Sequence, residues 1–176
     1  MEIRDADSTH LETITEIHND AVRHTTAVWD DHPVDLADRA AWLTQRRQAG
    51  FPVLVAVDEH GSVLGYASYG TWRARDGFRH TVENSVYVRD GQQGNGVGRS
   101  LMLELIDRAQ QQGVHVMVAG IEAGNAGSIR LHEKLGFVEV ARMPEVGVKF
   151  GRWLDLVFLQ LTIQGDATPG HDAAEG

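Results

Sequence analysis

Glu83 stands second in the apolar run VENSVYV, and a carboxylate so placed can take a proton from an incoming nucleophile. Its plain alternative is a solvated side chain at a strand start. Just after that run, QQGNGVGRS (92–100) is a glycine-rich turn that leads into a helix. Bare backbone N–H groups at such a junction, with the helix dipole behind them, suit a pyrophosphate, and glycine lets the backbone come close. Further on, NAGSIRLHEKLGF (125–137) carries His132 where Leu, Ala or Lys would serve a structural helix equally well. A histidine titrating near pH 6.5 can donate or relay a proton, or can be a half-exposed helix residue with no role. The loop RARDGFRH (73–80) gathers Arg73, Arg75, Arg79 and His80. Arginine forks grip carboxylates in bidentate fashion, so Arg73 and Arg75 are candidates for a substrate α-carboxylate. Asp76, Gly77 and Phe78 complete that loop, and Phe78 with Trp29 could wall a side-chain pocket. The alternative is a charged, solvated hairpin loop.

The glycine spacing is selective. A Walker loop needs G-x-x-x-x-G-K-[ST], and no such Lys follows here. A dinucleotide fingerprint needs G-x-G-x-x-G, whereas this turn reads Gly94-x-Gly96-x-Gly98. What fits is Gln93-x-x-Gly96-x-Gly98, which resembles the acetyl-CoA loop of the GNAT superfamily of N-acetyltransferases. A second match follows in Asn125-x-x-Ser128-x-x-Leu131-His132-x-Lys134-x-Gly136-Phe137. TWRARDGFRHTVENSVYV, MVAGIEAGNAGSIRLHEKLGF and VGVKFGRWLDLVFLQL narrow the resemblance to the phosphinothricin and methionine sulfoximine acetyltransferase branch, over roughly residues 2–163. The turn RDGQQ lacks the proline of many relatives, and Gly94-Asn95 stands in for a more basic pair.

The resemblance implies acetyl-CoA as donor, a small amino-acid-like amine as acceptor and a homodimer. It implies that Val86, Tyr87 and Val88 offer backbone groups to the pantetheine, and that Gln93, Gly94, Asn95, Gly96, Val97, Gly98, Arg99 and Ser100 cradle the phosphates. Asn125 and Ser128 would face the pantetheine and sulfur. Glu83 matches the catalytic glutamate, and His132 takes the place of a tyrosine that serves many relatives as acid. The chemistry agrees on the need for a base. An α-amine with a pKa near 8 is about 10% neutral at pH 7, and a lysine-like amine only about 0.04%. The leaving thiol, near 8.5, needs less help. Two other functions stay open: transfer to another amine or a peptide N-terminus, and a non-catalytic CoA-binding sensor.

The elements that must hold these residues follow from patterning. EIR reads as a strand, followed by a helix whose apolar positions Leu11, Ile14, Ile17, Ala21 and Val22 recur at helical spacing, with Thr9 and Glu12 as a capping box. A second helix, DLADRAAWLTQRRQAG, has Asp35 as N-cap and Gly50 as stop. PVLVAV and SVLGYASYG form a hairpin across DEHG. A third helix buries Leu101, Leu105, Ile106 and Ala109 and closes at Gly113. VHVMVAGIE is apolar enough to be a central strand. Two strands, FVEVARM and WLDLVFLQLTI, complete an α/β (α+β) fold. The expected form is a mixed, mostly antiparallel central sheet flanked by about four helices, in a single domain over 1–164 with a disordered tail over 165–176. Trp72 and Trp153 read as core or dimer packing.

Composition excludes other classes. The 176 residues hold 16 Lys plus Arg against 25 Asp plus Glu, a net charge of −9, which disfavours nucleic-acid phosphates as partners. Without cysteine there is no thiol nucleophile or disulfide framework. The nine histidines show no H-x-H or H-E-x-x-H spacing, so no metal is expected. The N-terminus is charged from residue 2 with no apolar leader, which reads as cytoplasmic, and no run is long enough to span a membrane.

Overall fold

The computed structural model describes residues 1–163; the expected tail lies outside them. The elements run β1 (Glu2–Asp5), α1 (Leu11–His24), α2 (Leu36–Gln48), β2 (Val53–Val57), β3 (Val63–Thr71), β4 (Thr81–Val88), α3 (Val97–Gln111), β5 (Val116–Glu122), α4 (Ala126–Glu133), β6 (Val138–Lys149) and β7 (Arg152–Thr162). The seven strands form one sheet in the order β1-β2-β3-β4-β5-β7-β6. Among the described residues only β4 and β5 pair in parallel. The mixed, mostly antiparallel sheet with four α-helices is the expected architecture. No helix of the described residues is long and apolar enough to cross a membrane.

Both faces of the sheet are covered, which is why its middle strands read as near-continuous apolar runs. On one face Leu54, Ala67, Tyr69 and Val82 meet Leu101, Met102 and Leu105 of α3. On the other, Val53, Val55 and Tyr66 meet Ile14 and Ile17 of α1 and Leu43 of α2. Each such aliphatic contributes about 1.5–3 kcal/mol when withdrawn from water. The period-2 alternation of a strand then sorts β4. Tyr87, and with it Ser85 and Glu83, face α1 and α2, while Val82, Asn84, Val86 and Val88 face α3 and α4.

Local signals mostly act as expected. Asp35 caps α2 by accepting from the Asp38 amide at 2.8 Å. Gly50 follows α2 with φ 75°, a left-handed value that glycine adopts without strain. The first helix is the exception. Thr9 and Glu12 do not form its capping box. Asp7 accepts from the Thr9 amide, its own amide bonds the His10 ring at 3.0 Å, and a 3₁₀ turn at Ser8–His10 precedes α1. Asp7 wins because it stands where the backbone is still extended, the conformation an N-cap requires.

Candidate active site

The site is built on a strand pair that comes apart. The β4–β5 ladder covers only Thr81–Glu83 against Val116–Val118. Beyond it β5 continues against β7, and β4 runs on to Val88 still paired with β3. From Asn84 onward the β5-facing edge of β4 therefore has backbone groups with no strand to pair them, and polar groups of this kind need a partner. A cavity of about 280 Å³ fills the wedge, lined in part by Glu83, Asn84, Gly120, Asn125, Ser128 and His132. A larger cleft of about 830 Å³ adjoins it, lined by residues of α1 together with Val86, Tyr87, Val88, Gln93 and Asn125. The two share Ala27, Val86, Tyr87 and Asn125, so they form one continuous path.

The glycine turn closes the far end of that path. Gly94 and Gly96 both take φ 82°, and Gly96 is the N-cap of α3 with no side-chain cap. The amides of Val97, Gly98 and Arg99 lie ahead of the first intrahelical bond, Ser100 N–H to Gly96 O at 3.0 Å, and so are free donors at a positive helix end. Gly94, Asn95 and Arg99 are exposed, whereas Val97 and Gly98 are buried. A β-carbon on Gly98 would meet Leu131 at 3.2 Å and Val88 at 3.4 Å, so this glycine lets α3 sit close to β4 and α4. Free strand edge, roomy cleft and bare helix amides together fit a nucleotide carrying a long amide-bearing arm.

Glu83 is half-buried in the cavity. Burial raises its pKa above the usual carboxylate range, and the nearby Arg73 guanidinium partly opposes the rise. Gly120 makes room for it: a β-carbon there would lie 2.9 Å from Glu83 Oε1.

His132 is not the half-exposed helix residue of the plain alternative. Its relative exposure is 2%. Nδ1 donates to the Ser128 carbonyl at 2.8 Å, and Nε2 lies 3.1 Å from Asn84 Oδ1. Asn84 turns its own N–H on the Val118 carbonyl at 3.0 Å, so it offers the ring an acceptor. Two acceptors favour the doubly protonated ring; burial disfavours it more strongly, and the pKa falls below its ordinary 6.5. Asn125 Oδ1 accepts from the Ser128 amide at 3.1 Å and caps α4, which fixes the backbone that in turn holds His132. Asn84 was not singled out from sequence. Only its contact with a residue 48 positions away reveals it.

The substrate-side residues are arranged differently from expectation. Arg73 and Arg75 are exposed and do not line the cavity. Arg73 lies over the Trp72 ring, 4.8 Å from its centroid, and Phe78 meets Trp72 edge-on at 5.2 Å. Asp76–Phe78 form a short 3₁₀ turn preceded by Arg75 in extended conformation. The loop's own aromatic pair holds it outward, so its charge acts from the mouth. Trp29 also stays out of the cavity. Its ring packs on Gly147, where a β-carbon would come within 2.1 Å, and its Nε1 donates to Thr26 O at 2.9 Å. Trp153 is 68% exposed, which removes it from the core. One cation does line the cavity: Arg46 of α2. Nothing in TQRRQ marks it, because a basic helix end ordinarily reads as a solvated one.

A strand pair splayed beside a glycine turn, with a carboxylate in the wedge, is the arrangement expected of an acetyl-CoA enzyme. A sequence model of the Acetyltransferase (GNAT) family matches residues 13–137. The chain belongs to the GNAT family. It is 60% identical over 161 residues, 92% of this chain and 94% of the other, to the L-methionine sulfoximine/L-methionine sulfone acetyltransferase of Pseudomonas aeruginosa. It is 39% identical over 168 residues, 94% and 83% of the two chains, to the phosphinothricin N-acetyltransferase of Alcaligenes faecalis. Its fold matches that of a Salmonella typhimurium acetyltransferase solved with its cofactor acetyl-CoA, with a TM-score of 0.93 and 57% identity over 97% and 98% of the two chains. This GNAT protein is an N-acetyltransferase, and acetyl-CoA is its donor.

Proposed function

We propose that this enzyme acetylates the α-amine of small amino-acid analogues such as L-methionine sulfoximine, L-methionine sulfone and phosphinothricin. The observation that carries the reading is Glu83. It sits in a small cavity at the inner end of the cleft, under the positive rim of Arg73, whose charge it feels. A cavity of that size suits an amino acid, not a folded polypeptide. The names of the two curated relatives point to the same acceptors.

The donor supplies an acetyl thioester. Val86, Tyr87 and Val88 bind its arm along the free edge of β4, and the amides at the start of α3 take its phosphates. Glu83 accepts the proton that the ammonium must lose before its nitrogen attacks the carbonyl carbon, and its raised pKa makes it a better acceptor. The C–S bond breaks as the N–C bond is made, and the amide nitrogen sheds its second proton to solvent, from which the acid is reprotonated after turnover. His132 gives a proton to the leaving sulfur. Arg73 and Arg75 attract the α-carboxylate at the mouth. An acetyl-CoA assay that follows thiol release with DTNB should show turnover with these analogues. Turnover of polyamines or peptide N-termini in its absence would sink the reading.

The proposal includes a cytoplasmic homodimer. Support comes from the β6–β7 hairpin, where Val138, Val140, Met143, Val146, Val148, Phe150 and Trp153 are all exposed. A long apolar edge strand of this kind is a ready template for pairing or aggregation unless something covers it. Val148 and Trp153 are cross-strand partners in it. Light scattering should give twice the 19.4 kDa chain mass, and Trp153→Glu with Val148→Asp should give the monomer mass.

A further inference from the structure

Arg46 reaches from α2 into the cavity on the face of the sheet that α1 and α2 cover. Its guanidinium occupies the volume a side chain at Gly70 would fill: a β-carbon there would lie 1.4 Å from Nη1 and 2.5 Å from Cζ. Gly70 is the cross-strand partner of Glu83, so the cation lies on the same face of the sheet as the base. Its Nε is buried with no hydrogen-bond partner among the described residues. Burial and the neighbouring Arg39 both work against its charge, and among the described residues no carboxylate offsets them in the way Glu104 and Asp5 hold Arg108. A half-buried cation whose buried Nε is left in this condition is costly unless something supplies an acceptor.

The position of Arg46 indicates which acceptor. Its guanidinium stands over β3 at Gly70, while the Glu83 carboxylate leans the other way, over β5 at Gly120. The two are separated by two strand spacings of about 4.8 Å, on the order of 10 Å. In an extended methionine sulfone, the amine nitrogen and a side-chain oxygen are separated by roughly 5–6 Å, given bonds of about 1.5 Å. A hydrogen bond of about 2.9 Å at each end brings the reach to roughly 11 Å. The α-carboxylate shares a carbon with the amine, so it stays near Glu83, where Arg73 is the cation that Glu83 feels.

Resting on the acceptor class proposed above, we infer that Arg46 binds the side-chain oxygen of the acceptor, whether sulfone, sulfoximine or phosphinate, and so selects oxidised amino-acid analogues over their unoxidised counterparts. Arg46 is a specificity residue and does not touch the reacting bond. One end of the acceptor meets the base, and the other supplies a hydrogen-bond acceptor to a guanidinium whose Nε has none among the described residues.

The test compares kcat/KM for L-methionine sulfone and L-methionine in the wild-type enzyme and in Arg46→Met, which keeps the aliphatic stem and removes the charge. A charge-assisted hydrogen bond is worth about 10- to 150-fold in such a ratio. Arg46→Met should lower kcat/KM for the sulfone by that factor, change it for methionine by less than about threefold, and leave the KM for acetyl-CoA unchanged. Phosphinothricin, with an anionic phosphinate, should lose more than the sulfone. Equal losses for sulfone and methionine, or no loss for either, would overturn the inference while leaving the acetyltransferase reading intact. No wild-type turnover of any of these acceptors would overturn the functional reading, and the inference with it. Should Arg46→Met not fold, Arg46→Lys carries the same comparison, with a smaller fall in the sulfone-to-methionine ratio because the bidentate fork is gone but the charge remains.

Discussion

Glu83→Gln should lower kcat for L-methionine sulfoximine by roughly 10²- to 10⁴-fold at pH 7, the range ordinarily supplied by a positioned general base. The substitution keeps the size of the side chain and its fit against Gly120, where the room is bounded at 2.9 Å. What it removes is the basic carboxylate that accepts the proton. An α-amine near pKa 8 is mostly ammonium at pH 7 but largely neutral at pH 9, so the deficit should narrow as pH rises. The stability signature has the opposite sign. Burial raises the folded pKa of Glu83 above its ordinary 4.5, so the folded state holds its proton to higher pH than the unfolded chain does. The stability tied to that proton is present below 4.5 and is lost as pH rises through the folded value. Gln carries no such loss. Glu83→Gln should therefore melt at the wild-type temperature or above it at pH 7–8, with the gap closing below pH 4.5. A kcat within threefold of wild type at pH 7 would place the base elsewhere.

How much of this was readable beforehand depends on the distance over which each feature is decided. The hairpin between β2 and β3, the Asp35 cap and the glycine turn before α3 are settled by a few neighbouring residues, and the sequence shows them. The glycine spacing and the Asn125–Phe137 motif were enough to find the family. The α1 start failed for a local reason: Thr9 and Glu12 satisfy the capping pattern, but Asp7 lies close enough to take the Thr9 amide first. On the acceptor side the part that sequence did not show is decided by tertiary contacts. Arg46 acquires its setting from Gly70, two elements away, and neither residue announces the other. Arg73 and Phe78 were read as pocket residues because their types suit a substrate. They are held at the rim because each finds Trp72 first.

His132 shows how burial changes what a residue does. As a surface histidine it would be removable at little cost. Instead it is enclosed, its ring stands edge-on to Phe137 at 5.0 Å, and it joins α4 to β4 through Ser128 and Asn84. His132→Ala opens a cavity and strips the Ser128 carbonyl of its donor, which should cost about 2–4 kcal/mol. At this chain length that corresponds to a fall in Tm of roughly 4–16 °C. In kinetics it should lower kcat about tenfold and change KM little, a smaller loss than that of Glu83→Gln, because a thiol near pKa 8.5 needs only modest help to leave. His132→Gln preserves much of the volume and separates the two effects: Tm recovers most of its loss while kcat stays low. The pH dependence gives an independent check. Burial depresses the folded pKa of His132 below 6.5, so its stabilising contribution is present above 6.5 and declines as pH falls toward the folded value. The difference in Tm between wild type and His132→Gln should shrink across that window. A kcat equal to wild type in folded His132→Gln would leave His132 a structural residue that ties α4 to β4, with the proton for the sulfur coming from elsewhere in the cleft.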